Sequence, residues 1–85
     1  MSDPSLLAQI VGVVRKLARV PRDTPITAET RLVDDLAIDS LDLFAVFIEV
    51  QDRFDVVIDL EEMPELDRVG DIALYVTSRR ASAAA

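Results

Sequence analysis

The stretch Asp34-Asp35-Leu36-Ala37-Ile38-Asp39-Ser40-Leu41-Asp42 decides the fold. Before it, Pro21, Pro25 and three Thr make an irregular connection over residues 21–38. After it, apolar residues recur at helical spacing, so a loop ends and a helix begins at Asp39 or Ser40. Asp39 suits the N-cap, with Asp42 three residues on in a capping-box-like arrangement. Either carboxylate also suits the positive end of a helix dipole. A serine at a helix start ordinarily caps it. Here the surroundings point elsewhere. The chain has no His to activate a hydroxyl and no Cys. Ser40 sits at the mouth of the most hydrophobic segment, among carboxylates. It reads as a hydroxyl modified by another protein, not as one that attacks a substrate itself.

The helix that follows runs to about Arg53. Its inward stripe is Leu43, Val46, Phe47, Val50 and Phe54. Leu41, Phe44 and Ile48 form a second apolar set on a different face. A surface helix needs one apolar face only, so the second set either packs beneath the long loop or meets a partner. Asp42, Glu49 and Asp52 flank it and favour the partner.

Working outward, the rest is helical as well. Asp3 can cap a first helix with Pro4 at its first position. Leu6, Leu7, Ile10, Val14 and Leu17 give its buried face, and Pro21 stops it. Loops as long as 21–38 are uncommon in small domains and often functional; Ile26, Leu32 and Leu36 pin this one to the core. Val56-Val57-Ile58 has strand propensity but no second strand, so it reads as an extended connection. Leu60 to Leu66 allows a turn or two of helix, weakened by Pro64. Asp67 caps a last helix with Val69, Ile72, Ala73 and Val76 inward, and Gly70 in its first turn costs about 1 kcal/mol relative to Ala. Residues 81–85 form a flexible tail. The expected fold is all-α, a small four-helix bundle of three long helices and one short one, in a single domain over residues 1–85.

Composition narrows the function. A chain of 85 residues buries too little surface for a deep, water-excluding active site. No apolar run is long enough to span a bilayer, and Met1-Ser2-Asp3-Pro4 lacks the character of a signal peptide. Without Cys nothing requires an oxidising compartment, so a cytoplasmic location is the expectation. The net charge is −7, and residues 34–71 hold 13 acids against two bases. Such a surface repels nucleic acid and anionic lipid and attracts proteins with basic patches. The acids do not follow the spacing of a calcium loop, and none is placed to act as a catalytic acid or base. Neither a metal site nor an enzyme is expected.

With Asp35-Leu36, Asp39-Ser40-Leu41-Asp42, Phe54-Asp55 fourteen residues after the serine, Ile58, Glu61-Glu62 and Val69, the chain resembles the acyl carrier proteins over residues 5–78. The resemblance implies a bundle with 4′-phosphopantetheine attached to Ser40 through a phosphodiester, Asp39 and Leu41 flanking the attachment. Acyl intermediates would ride on the arm as thioesters in fatty acid, lipid or polyketide biosynthesis. A separate phosphopantetheinyl transferase would install the arm. Acyl-handling enzymes with basic patches would dock on Asp39, Asp42, Glu49 and Asp52, with Leu41, Phe44 and Ile48 as apolar contacts, and the carrier would act as a monomer. The chain departs from the family pattern at several positions. Ala37 stands where Gly is common, so the loop at the attachment site is expected to differ. Ala45 and Gln51 replace common acids, Arg53 reverses a charge, and Asp59 replaces a Pro. These departures suggest a specialised carrier. A peptidyl or aminoacyl carrier of a nonribosomal pathway, and a cofactor-free acidic interaction module, are the alternatives.

Overall fold

Three helices and one short turn build the domain: α1 (Pro4–Leu17), α2 (Ser40–Phe54), a single 3-10 turn (Met63–Glu65) and α3 (Val69–Ala84). The computed structural model describes the backbone of residues 4–84 and the side chains of 5–80. The proposed cap Asp3 lies outside the described residues. So does Ala85, the end of the tail expected to be flexible; the helix itself continues to Ala84. The fourth helix of the expected bundle is thus one turn, with Pro64 in it. No helix among the described residues is long and apolar enough to cross a membrane.

The core follows the helical spacing. Leu6, Ile10, Val13 and Val14 of α1 meet Val46, Phe47 and Val50 of α2 and Val69, Ile72, Ala73 and Val76 of α3. Helix α1 packs against both of the others. Leu32 is fully buried from the long connection, and Ile26 and Leu36 pack against the same core. Val56 and Ile58 are buried while Val57 between them is exposed, as an extended segment requires. No buried polar side chain is left without a partner among the described residues.

The connection between α1 and α2 is held by backbone bonds to the start of α3. Leu32 N–H donates to the Asp67 carbonyl at 2.8 Å, Val69 N–H to Thr30 at 3.0 Å and Gly70 N–H to Ala28 at 2.8 Å. Two of the N–H groups that a helix start leaves free are therefore taken by the loop. Asp67 does not cap α3. The helix begins two residues later, the Asp67 carboxylate lies 3.9 Å from Arg31, and Asp71 reaches back to accept the Arg68 N–H at 2.9 Å.

Pro21 does not stop α1 either. The helix ends at Leu17, and Arg19 turns the chain with φ 58° while Val20 N–H bonds the Arg15 carbonyl at 2.9 Å. This is the six-to-one closure of a Schellman motif. Helix α2 ends the same way, with Asp55 at φ 54° and Val56 N–H on the Gln51 carbonyl at 3.2 Å. Neither left-handed residue is the Gly that would mark such an end in a sequence.

Candidate functional site

Asp39 is the N-cap of α2, and its Oδ1 accepts the Asp42 N–H at 2.9 Å. The Asp39 carbonyl accepts the Leu43 N–H at 2.9 Å, the first bond of the helix. Ser40 is therefore the first residue of the helix proper, and its side chain is relieved of capping. It is exposed, and its hydroxyl has no partner among the described residues. The Ser40 and Leu41 N–H groups also meet no described acceptor. Two free donors and the positive end of the dipole thus lie at the helix start that carries Ser40, a setting that favours an attached phosphate.

The loop before the serine is set by local bonds. Asp35 Oδ2 accepts the Arg31 N–H at 2.8 Å. Ala37 N–H reaches the Val33 carbonyl at 3.0 Å, and Ile38 N–H reaches Leu32 at 3.2 Å. Ala37 itself has φ 54°. Ala therefore occupies the left-handed conformation that Gly favours, against a steric cost. The substitution has not forced this residue out of that conformation.

Beside Ser40 an apolar cleft of about 210 Å³ is lined by Leu43, Phe44, Phe47, Met63 and Pro64. Met63 and Pro64 come from the 3-10 turn. The sequence did not connect them with Ser40, because only the folded chain closes the gap of more than twenty residues between them.

The second apolar set of α2 does not pack beneath the loop. Leu41 is 83% exposed, and Phe44 and Ile48 are each 47% exposed. Asp42 and Asp52 lie on the same helix, Asp42 half-buried and Asp52 exposed. Glu49 is less free, since its carboxylate is paired with Arg53 at 3.1 Å. Beyond the helix, Val57 and Leu60 are exposed apolar residues that the sequence did not single out. Gln51, one of the departures noted above, has a structural role: its Oε1 accepts the Ile58 N–H at 2.8 Å and ties the extended segment to α2.

The loop between α2 and α3 is also tied to α3. Arg79 lies over the Tyr75 ring at 4.8 Å and donates to the Tyr75 hydroxyl at 2.8 Å and to Glu62 at 3.0 Å. It also lies 3.5 Å from Asp59. The Tyr75 hydroxyl donates to the Val57 carbonyl at 3.3 Å. Tyr75 and Arg79 together hold the Glu62 carboxyl below its ordinary value of 4.5, and Tyr75 and Glu62 hold the Arg79 guanidinium above its own.

Residues 8–76 match the family model described as the phosphopantetheine attachment site. An acyl carrier protein of Beutenbergia cavernae is 30% identical over 80 residues, covering 94% of this chain and 96% of the relative. A meromycolate extension acyl carrier protein of Mycobacterium leprae is 29% identical over 76 residues, covering 89% of this chain and 65% of that one. A solved structure, assigned as an acyl carrier protein of Mycobacterium tuberculosis, superposes with a TM-score of 0.78 at 34% identity. It covers 86% of this chain and 96% of its own. The free donors at the start of α2 fit the phosphodiester of the 4′-phosphopantetheine that this family carries, and the chain belongs to the acyl carrier proteins.

Proposed function

We propose that Ser40 is the attachment point of the arm and that the chain is a specialised acyl carrier with no catalytic activity of its own. The observation that carries this reading is the Ser40 hydroxyl. It is exposed and unbonded at a helix start whose capping is done by Asp39. When bound, the arm supplies a thiol on which acyl cargo is held as a thioester. The residues of the chain would position it: Asp39 fixes the helix start, the free Ser40 and Leu41 N–H groups would be donors for the phosphate, and the cleft of Leu43, Phe47 and Met63 would offer apolar cover beside it.

Acyl carrier proteins work with a phosphopantetheinyl transferase and acyl-handling enzymes. In our reading these enzymes bring basic patches to Asp39, Asp42, Glu49 and Asp52, and apolar contacts to Leu41, Phe44 and Ile48. The exposure of those three apolar side chains supports this. We read the 3-10 turn as the counterpart of the bundle's short helix, and the protein as a cytoplasmic monomer. Specialisation is supported by the Glu49–Arg53 pair, which cancels charge in the second half of the docking helix. It is also supported by likeness to a relative named for meromycolate extension.

Co-expression with a broad phosphopantetheinyl transferase tests the attachment. Intact mass gains one phosphopantetheine in the wild type and none in Ser40→Ala. A wild type that stays bare, or a Ser40→Ala variant that is still loaded, overturns it. Specialisation is tested by kcat/KM with general fatty-acid synthesis enzymes. Turnover equal to that of their usual carrier would refute it.

A further inference from the structure

We infer that the groove between α1 and α2, at the opposite end of the docking helix from Ser40, accepts an acidic segment of a partner enzyme. The groove has a volume of about 290 Å³ and is lined by Gly12, Val13, Lys16, Leu17, Glu49 and Arg53. Its ionisable side chains are two cations and one anion, a local excess of positive charge on a chain of net −7. Lys16 is exposed and makes no ion pair among the described residues. Arg53 gives one nitrogen to Glu49 at 3.1 Å, and its side chain remains 44% exposed. Val13 is buried below them, and Leu17 is half-buried. The floor is apolar, and the rim carries the Glu49–Arg53 pair with Lys16 as its unpaired cation among the described residues.

Gly12 is the independent observation. It stands inside α1, where Gly weakens a helix relative to Ala. A Cβ built there meets nothing within 4 Å, and its backbone is helical, so the fold itself has no use for Gly. A bare backbone in the floor of an open groove allows another chain to approach closely.

The placement gives the groove a purpose within the carrier reading, on which this inference rests. Arg53 lies thirteen positions after Ser40, and at 1.5 Å per residue that is about 20 Å along the helix. An enzyme receiving the arm with bases against Asp39, Asp42 and the outer acids Glu49 and Asp52 would present a carboxylate to Lys16 and to the guanidinium nitrogens of Arg53 that Glu49 leaves free. Such a two-signed surface fixes orientation and disfavours partners that are basic throughout.

The test uses the phosphopantetheinylated protein, labelled with nitrogen-15. It is titrated with two synthetic peptides sharing length and apolar residues, one carrying Glu and the other Lys at the charged positions. The Glu peptide should shift the Gly12, Lys16, Leu17 and Arg53 amides saturably, and the Lys peptide those of Asp39 and Asp42. Lys16→Glu with Arg53→Glu should weaken the Glu peptide by about tenfold, from two exposed pairs worth about two- to fivefold each, and leave the Lys peptide's affinity no weaker. Gly12→Ala should weaken the Glu peptide by a factor of about three or more, since an added methyl obstructs a close contact, while raising Tm. Unchanged affinity in Gly12→Ala, or Glu-peptide shifts scattered over Arg19, Arg22 and Arg80, overturns the inference. So do shifts at the groove that grow with protein concentration alone, which would assign it to a second copy. Intact mass of the same sample reports loading at Ser40, so failure of the carrier reading is seen separately.

Discussion

The two glycines of this chain should respond to the same substitution with opposite signs. Both lie in helices, where Gly→Ala in isolation gains about 0.5–1 kcal/mol. At Gly12 there is open space, so the full gain should be realised. At Gly70 a Cβ would stand 2.9 Å from the Ala28 carbonyl oxygen and 3.1 Å from the Ala28 Cβ. Relieving that overlap by strain costs about 1–3 kcal/mol. Relieving it by moving the loop sacrifices the Gly70 and Val69 bonds to Ala28 and Thr30, worth about 1 kcal/mol each. Either route exceeds the propensity gain, leaving Gly70→Ala less stable than wild type by about 1–2 kcal/mol. For a domain of this size 1 kcal/mol moves Tm by about 4–8 °C. The two variants should therefore melt about 10 °C apart on either side of the wild type, measured by circular dichroism, with parallel shifts in urea midpoint. A Gly70→Ala protein as stable as wild type would refute the claim that the loop is docked on the first turn of α3.

Three other outcomes are expected. Ala37→Gly should gain about 0.5–1 kcal/mol, since a left-handed L-residue costs about 1–2 kcal/mol and Gly returns part of that as entropy; urea denaturation measures it, and a loss would contradict φ 54° at this position. Gln51→Ala should cost about 1–3 kcal/mol by leaving the part-buried Ile58 N–H without its acceptor, and hydrogen exchange at that amide should speed up. Glu62 has its folded value lowered from 4.5 by Tyr75 and Arg79, so its contribution is present at higher pH and is lost as pH falls through the lowered folded value; the stability difference between wild type and Glu62→Gln should hold above about pH 5 and shrink below 4.5, whereas a difference that grows with acid would reverse the sign.

The helices were legible because their cores repeat at the helical spacing, as in Val46, Phe47 and Val50 or Val69, Ile72 and Val76. What was not legible was non-local or conformationally unmarked. Arg19 and Asp55 take left-handed backbones without being Gly, so the ends of α1 and α2 carried no sequence signature. Gly70 showed only its cost in a helix; the approach of Ala28 that makes it necessary spans more than forty residues. The Tyr75–Arg79 attachment of the α2–α3 loop joins groups 16 to 20 residues apart. Met63 and Pro64 became part of the candidate site only through that loop's course across the end of α2.

The reading of Ser40 turned on a register of one residue. A serine at the cap would have its oxygen engaged with the backbone of the first turn, and its exposure would then say little about function. With Asp39 at the cap, the bond to Asp42 N–H is supplied by a carboxylate, which also suits the dipole better than a hydroxyl does. Ser40 moves to the first helical position, where its side chain satisfies no backbone group and its own N–H stays unused. Folding needs nothing from that hydroxyl, which leaves it available beside an apolar cleft for the attachment proposed above. Asp39→Ala separates the two roles. If the serine took over the cap when the aspartate was removed, the helix start would survive with stability nearly unchanged; if it frayed, stability would drop by about 0.5–2 kcal/mol, and loading should fall in either case because Asp39 also belongs to the proposed docking face.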